Sequence, residues 1–139
     1  MRLVDDHYDA VKALIESDAE LTVYPAVRLD DGGGFIRDAY VILSPCLPVE
    51  ISSGRFTADA LITSPATFIF DVTCVAETAL MAGRVMERVL AQTLGQRPVI
   101  SGRRVSAITL ESADKVLPDA TVKPPLFYGD MALRLVSRP

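Results

Sequence analysis

His7 is the single histidine of this 139-residue chain, and it stands among Asp5, Asp6 and Asp9. A histidine with three carboxylates is the raw material of a divalent-metal site, and any Ser-His-Asp or Cys-His nucleophile would have to use the same imidazole. The surroundings argue for something plainer. The acids fall at the start of an amphipathic segment, where carboxylates suit the positive end of a helix, and the expected state of His7 is solvated. Asp30-Asp31-Gly32-Gly33-Gly34 is not a phosphate loop, because no Lys-Ser/Thr follows and the chain runs on into Phe35-Ile36-Arg37. Cys46 and Cys74 lack the Cys-x-x-Cys spacing of a zinc site, and Cys74 lies in the apolar phase of a strand, where a thiol behaves as a small hydrophobe. Lys123-Pro124-Pro125 lacks the spacing of a proline-rich ligand and reads as a loop stiffened before a strand. Met81 and Met86 read as core residues. The sequence therefore offers no catalytic, cofactor-binding or metal-binding residues, and predicts a protein that is not an enzyme.

The elements that would hold such residues are clearer. In residues 66–75, Phe68, Phe70, Val72 and Cys74 alternate with Thr67, Ile69, Asp71, Thr73 and Val75, the period of a strand lying on a core. The period then becomes helical over 77–94. Ala82, Val85, Met86, Val89 and Leu90 form one stripe, with Arg84, Glu87, Arg88 and Gln92 opposite, and Gly95 is the stop. Residues 5–17 predict a first helix, capped by Asp5 or Asp6, with Val4, Tyr8, Val11, Leu14 and Ile15 on its inner face. A short strand at 21–27 is interrupted by Pro25, so it belongs at an edge or ends early. Residues 39–43, apolar on both faces, read as a central strand or one buried at an interface. Residues 99–112 hold one strand, or a hairpin turning at 101–103. Residues 114–125 are a loop, and 126–136 the last strand, with Phe127, Met131, Leu133 and Leu135 facing one way and Tyr128, Asp130 and Arg134 the other. Residues 45–65 form a long connection, and such lengths are uncommon in compact domains without a functional reason.

The whole chain, 1–139, reads as a single α+β domain: a two-layer sandwich with a mainly antiparallel sheet of four to five strands and two helices packed on one face. Leu14, Phe70, Val85, Val89 and Leu133 are its predicted core. The other face is expected to carry Tyr24, Tyr40, Ile42 and Ile69 and to meet a neighbouring subunit. An apolar fraction of 50% and a mean hydropathy of +0.29 support subunit contacts. A net charge of −4, with Arg103-Arg104 as the only basic pair, argues against gripping nucleic acid through its phosphates. No apolar run reaches the roughly 20 residues of a membrane span. The chain turns acidic straight after Met1-Arg2-Leu3-Val4, too early for the pattern of a signal peptide, so synthesis in a cytoplasm is expected.

Phe70-Asp71-Val72-Thr73-Cys74-Val75-Ala76 running straight into the long helix, Gly102-Arg103-Arg104 before a strand, and Pro124-Pro125-Leu126-Phe127-Tyr128 opening the last strand form an ordered series. The first helix, ending near Asp18-Ala19-Glu20-Leu21-Thr22-Val23-Tyr24, completes it. In this order and spacing, over about residues 4–136, the chain resembles the tail terminator proteins of long-tailed bacteriophages and prophages, in the variety found among phages of actinobacteria. Residues 45–65 depart from that pattern. The resemblance implies a non-enzymatic virion subunit that forms a hexameric ring at the head-proximal end of the tail. Its partners would be further copies of itself, the major tail tube protein and the head-tail connector or a head-closure protein. Genomic DNA would pass through the lumen without sequence-specific binding. Another neck protein is the near alternative, and a small ligand-binding domain the distant one. The connection 45–65 is expected to dock on the tube or the connector, with Ile51 and Phe56 as anchors and Arg55 beside them.

Overall fold

The computed structural model describes residues 2–29, 31–51 and 64–139. The element order is α1 (Leu3–Glu16), β1 (Val23–Tyr24), β2 (Tyr40–Leu43), β3 (Glu50–Ile51), β4 (Ala66–Ala76), α2 (Ala79–Thr93), β5 (Arg104–Val105), β6 (Thr109–Ala113), β7 (Leu117–Asp119) and β8 (Leu126–Arg138). The α+β class is as the sequence predicted. The sheet's main path has five strands, in the order β1-β2-β4-β8-β5, and three short strands attach beside it: β3 on β4, and β6 and β7 on β8. β1 joins β2 in parallel, while the other named pairings are antiparallel.

The centre is the ladder between the two longest strands, β4 and β8, which pair without a break from Ala66 opposite Ser137 to Ala76 opposite Phe127. Even spacing puts Phe68, Phe70, Val72 and Cys74 on the same face as Leu135, Leu133 and Met131. All seven are buried, and they share one cluster with Val11 and Ile15 of α1 and Val85 and Val89 of α2. Both helices thus cover one face. Of the predicted core, Phe70, Val85, Val89 and Leu133 are buried, and Leu14 packs partly buried at the margin.

α2 begins where Thr78 takes extended backbone and its side-chain oxygen accepts the Met81 N–H at 3.2 Å. It ends at Leu94, before Gly95, whose φ of +75° suits a residue without a Cβ. Gly129 of β8 has a different reason: a Cβ there would run into the Met86 sulfur of α2. Arg88 fastens the helix layer. Its Nε and Nη2 donate to both oxygens of Asp18, at 2.8 and 2.7 Å, and Nη1 reaches Glu20. The Asp18 carboxyl is held below the usual range, first by the Glu20 N–H and then by this guanidinium.

Several expectations are corrected. α1 begins at Leu3, with Arg2 in the capping position and no cap from its side chain, so neither Asp5 nor Asp6 is the capping residue, although Asp6 accepts the Arg2 N–H at 3.2 Å. Its buried residues are His7, Val11 and Ile15, which turns the inner face toward His7. Met81 is exposed at the start of α2, while Met86 is partly buried as expected. The stretch 114–125 contains β7, which the sequence conceals because Pro118 sits in it on the sheet's outer edge. The connection 45–65 is shortened by β3, which pairs Glu50 with Thr67 and Ile51 with Ala66. β1 holds only two residues before Pro25, as expected of a strand that ends early.

Candidate functional site

Residue types able to do chemistry converge at one buried point. His7 Nδ1 lies 2.6 Å from the Leu3 carbonyl and Nε2 2.7 Å from Ser137 Oγ. A carbonyl only accepts, so Nδ1 carries the proton, and Ser137 donates its hydroxyl proton to Nε2. Ser137 Oγ in turn accepts Arg103 Nε at 2.6 Å, and Arg103 Nη2 donates to the Ser64 and Ser137 carbonyls at 2.9 and 3.0 Å. The imidazole stacks on Phe68 with centroids 4.2 Å apart. His7 and Ser137 are fully buried, so no substrate reaches the pair, and the arrangement holds strands and helix together. The solvated histidine expected from the sequence is therefore a core residue. Both ring nitrogens are engaged, which removes it from any metal set with Asp5, Asp6 and Asp9.

Burial lowers the His7 pKa, the Leu3 carbonyl bond works the other way, Arg103 lowers it further, and Asp6 raises it. The folded pKa lies below the unfolded one, so the unfolded chain takes up a proton that the folded chain resists. Stability should fall as pH drops below about 6.5, by at most about 1.4 kcal/mol per pH unit from this group, until folded His7 itself is protonated. Urea midpoints of the wild type and His7→Gln between about pH 7 and pH 5 check this. Equal slopes in the two proteins would show that His7 does not contribute.

The two cysteines are free thiols, with Cys74 buried. Burial pushes the Cys74 thiol up to about 12 and that of Cys46 to about 11, so neither is a ready nucleophile. Cys46 Sγ donates to the Ile69 carbonyl at 3.4 Å. Among the described residues, no group of three or more His, Cys, Asp or Glu is arranged to hold a metal ion. Nor is any helix among them long and apolar enough to cross a membrane.

The sheet face away from the helices is the other candidate surface. Tyr40 and Ile42 of β2 are 3% and 8% exposed, covered from within the chain in a second cluster with Val75, Val122 and Leu126. The segment that covers them is tied down by Arg37, whose Nε donates to Glu77 and Nη2 to the Pro124 carbonyl, both at 2.9 Å. A charge placed at Tyr40 or Ile42 would therefore disturb this chain's own packing. Tyr24 is half-buried at the edge of that cluster, edge-on to Tyr40, with the Arg28 guanidinium 4.6 Å from its ring centre. Ile69, half-buried, faces the same way from mid-β4, opposite Arg134. Beside the cluster lies a groove of about 320 Å³ lined by Val27, Phe35, Tyr128, Asp119 and Asp130, among others. Ile51 closes β3, while Arg55 and Phe56 lie outside the described residues. The apolar surplus of the composition is visible as exposed Val27, Leu29, Leu47, Val49, Leu80 and Val99.

No family model and no curated protein matches this chain. Among solved structures, it is similar to a chain of the virion of a native gene transfer agent particle. The TM-score is 0.60 at 20% sequence identity, and the likeness covers 99% of this chain and 92% of the other. At that identity what the two share is the fold, over almost the whole of both.

Proposed function

We propose that this chain is a structural virion protein without enzymatic activity, and within that class a tail terminator. In this reading, copies form a ring, a hexamer by resemblance, on the head-proximal end of a phage or prophage tail tube. The ring stops tube growth and offers a surface to the head connector, and DNA passes through it without being read. The observation that carries the reading is the likeness, along nearly the full length of both chains, to a component of a gene transfer agent virion. The order of sequence segments agrees with it. So does the site geometry, since the one constellation of His, Ser and Arg is sealed inside the fold and supports it.

Tyr24 and Ile69 remain the proposed subunit contacts on the outer face, with Tyr40 and Ile42 shaping it from beneath. The segment carrying Ile51, Arg55 and Phe56 is the proposed docking element for the tube or connector. Deleting the gene from a particle-producing strain tests the role by electron microscopy. The expected result is headless tails of uncontrolled length. Tails of normal length that fail to join heads would instead assign a head-closure role, and intact infectious particles would refute both. Light scattering on the purified protein should give a mass near six times 15.0 kDa.

A further inference from the structure

Arg104 and Arg138 are directly opposite each other in the β5–β8 ladder. Like charges in that relation destabilise a sheet. Arg97, from the turn after α2, joins them around one concavity of about 380 Å³, whose other walls are Val105, Ser106 and Val136. No acid lines it, and none of the three arginines has an ion pair among the described residues. Val99, two residues from Arg97, is 94% exposed. In a chain of net charge −4, gathering three arginines here leaves the rest of the surface more acidic still.

The groove described above has the opposite character. Asp130 Oδ1 accepts the Thr73 hydroxyl at 2.5 Å, and Asp119 Oδ1 accepts the Thr121 N–H and hydroxyl at 3.0 and 2.6 Å. Each carboxylate keeps its second oxygen, and neither has a cation partner among the described residues. The exposed Val27 and Phe35 and the half-buried Tyr128 line the same groove. Asp130 and Arg138 lie eight residues apart on β8. The even spacing puts them on one face, and at strand rise they stand roughly 27 Å apart. The two patches therefore do not neutralise each other within one molecule.

We propose that they are the two halves of one contact between neighbouring copies: the arginine concavity of one seats in the acidic, aromatic groove of the next. Guanidinium groups pair with carboxylate oxygens and stack on aromatic faces, and this groove supplies both. Because the halves differ and lie at opposite ends of one face, the contact runs head to tail, the kind that closes into rings. A nucleic-acid phosphate backbone fits less well, since it calls for cations spread along a path rather than three around one concavity. The inference rests on the ring reading above and names its interface.

The test uses full-length protein in two charge-reversed forms, Arg104→Glu/Arg138→Glu and Asp119→Lys/Asp130→Lys, with folding checked by circular dichroism and assembly by light scattering at low salt. Each variant alone should associate at least about 30-fold more weakly than the wild type. An equimolar mixture should recover the wild-type mass, because each variant then finds its complement on both sides. If the second variant does not fold, Asp119→Lys alone replaces it and leaves the Thr73–Asp130 bond intact. Normal assembly by either folded variant alone overturns the proposal, as does a mixture of folded variants that stays dissociated. If the arginine variant assembles normally but loses binding to a short DNA duplex, the concavity belongs to a polyanion and the proposal falls. Wild-type protein that remains monomeric at every concentration refutes the ring itself, a result distinct from the others.

Discussion

Phe70→Ala should lower the free energy of unfolding by about 3–5 kcal/mol, a large share of what holds a domain of this size together. Phe70 is 1% exposed in the middle of β4, opposite Leu133. Its ring lies nearly parallel to that of Phe68, with centroids 5.6 Å apart, and Phe68 in turn stacks on His7. Truncation removes the ring's buried area and leaves a void between a continuous ladder and two helices, neither of which can close it without shifting. The melting temperature should fall by roughly 10–20 °C. Ile69→Ala is the control, one residue earlier on the opposite, half-buried face, and should cost less than about half as much. Both are read from urea unfolding of purified protein. Equal losses in the two variants would mean that the helix-covered face is not the dominant core.

That asymmetry was legible in the sequence because it is local. The alternation of Phe68, Phe70, Val72 and Cys74, the stripe Ala82, Val85, Val89 and the stop at Gly95 each need only a short window, and the structure follows them closely. What the sequence hid depends on partners far along the chain. His7 looked solvated among acids, yet the residue that receives its Nε2 is Ser137, 130 positions away. Tyr40 and Ile42 look available to a neighbour, yet Val122, from a stretch that reads as loop, and Leu126, at the start of the last strand, cover them. β6 has no alternation to find, because all five of its residues are exposed at the sheet's edge, with a register shift between Leu110 and Ser112. Read locally, Arg104 is half of a basic pair before a strand. Its meeting with Arg138 requires the register of β5 on β8, which no local pattern encodes.

The same long-range logic makes Arg103 the second residue whose loss should be severe. It sits 9% exposed just after Gly102, whose φ of +78° turns the chain into β5. From there its Nε reaches the Ser137 hydroxyl, and its Nη2 reaches the carbonyls of Ser137 and Ser64. One side chain thus joins the entry to β5, the end of β8 and the approach to β4, and through Ser137 it also orients His7 of α1. Arg103→Met keeps most of the aliphatic length but strands these buried acceptors without their donor, and the expected cost is on the order of 3–5 kcal/mol. Arg103→Lys should recover only part of this, since a single ammonium cannot reproduce the fork that serves a hydroxyl and two carbonyls at once. A second readout separates this network from simple packing. Arg103 is one of the groups that hold the His7 pKa down, so removing it should let that pKa rise toward its ordinary value. The proton-uptake difference between unfolded and folded chains then shrinks, and the loss of stability below about pH 6.5 becomes shallower than in the wild type. A variant that unfolds at the wild-type urea midpoint, or that keeps the wild-type slope against pH, would show that Arg103 does not organise the end of β8.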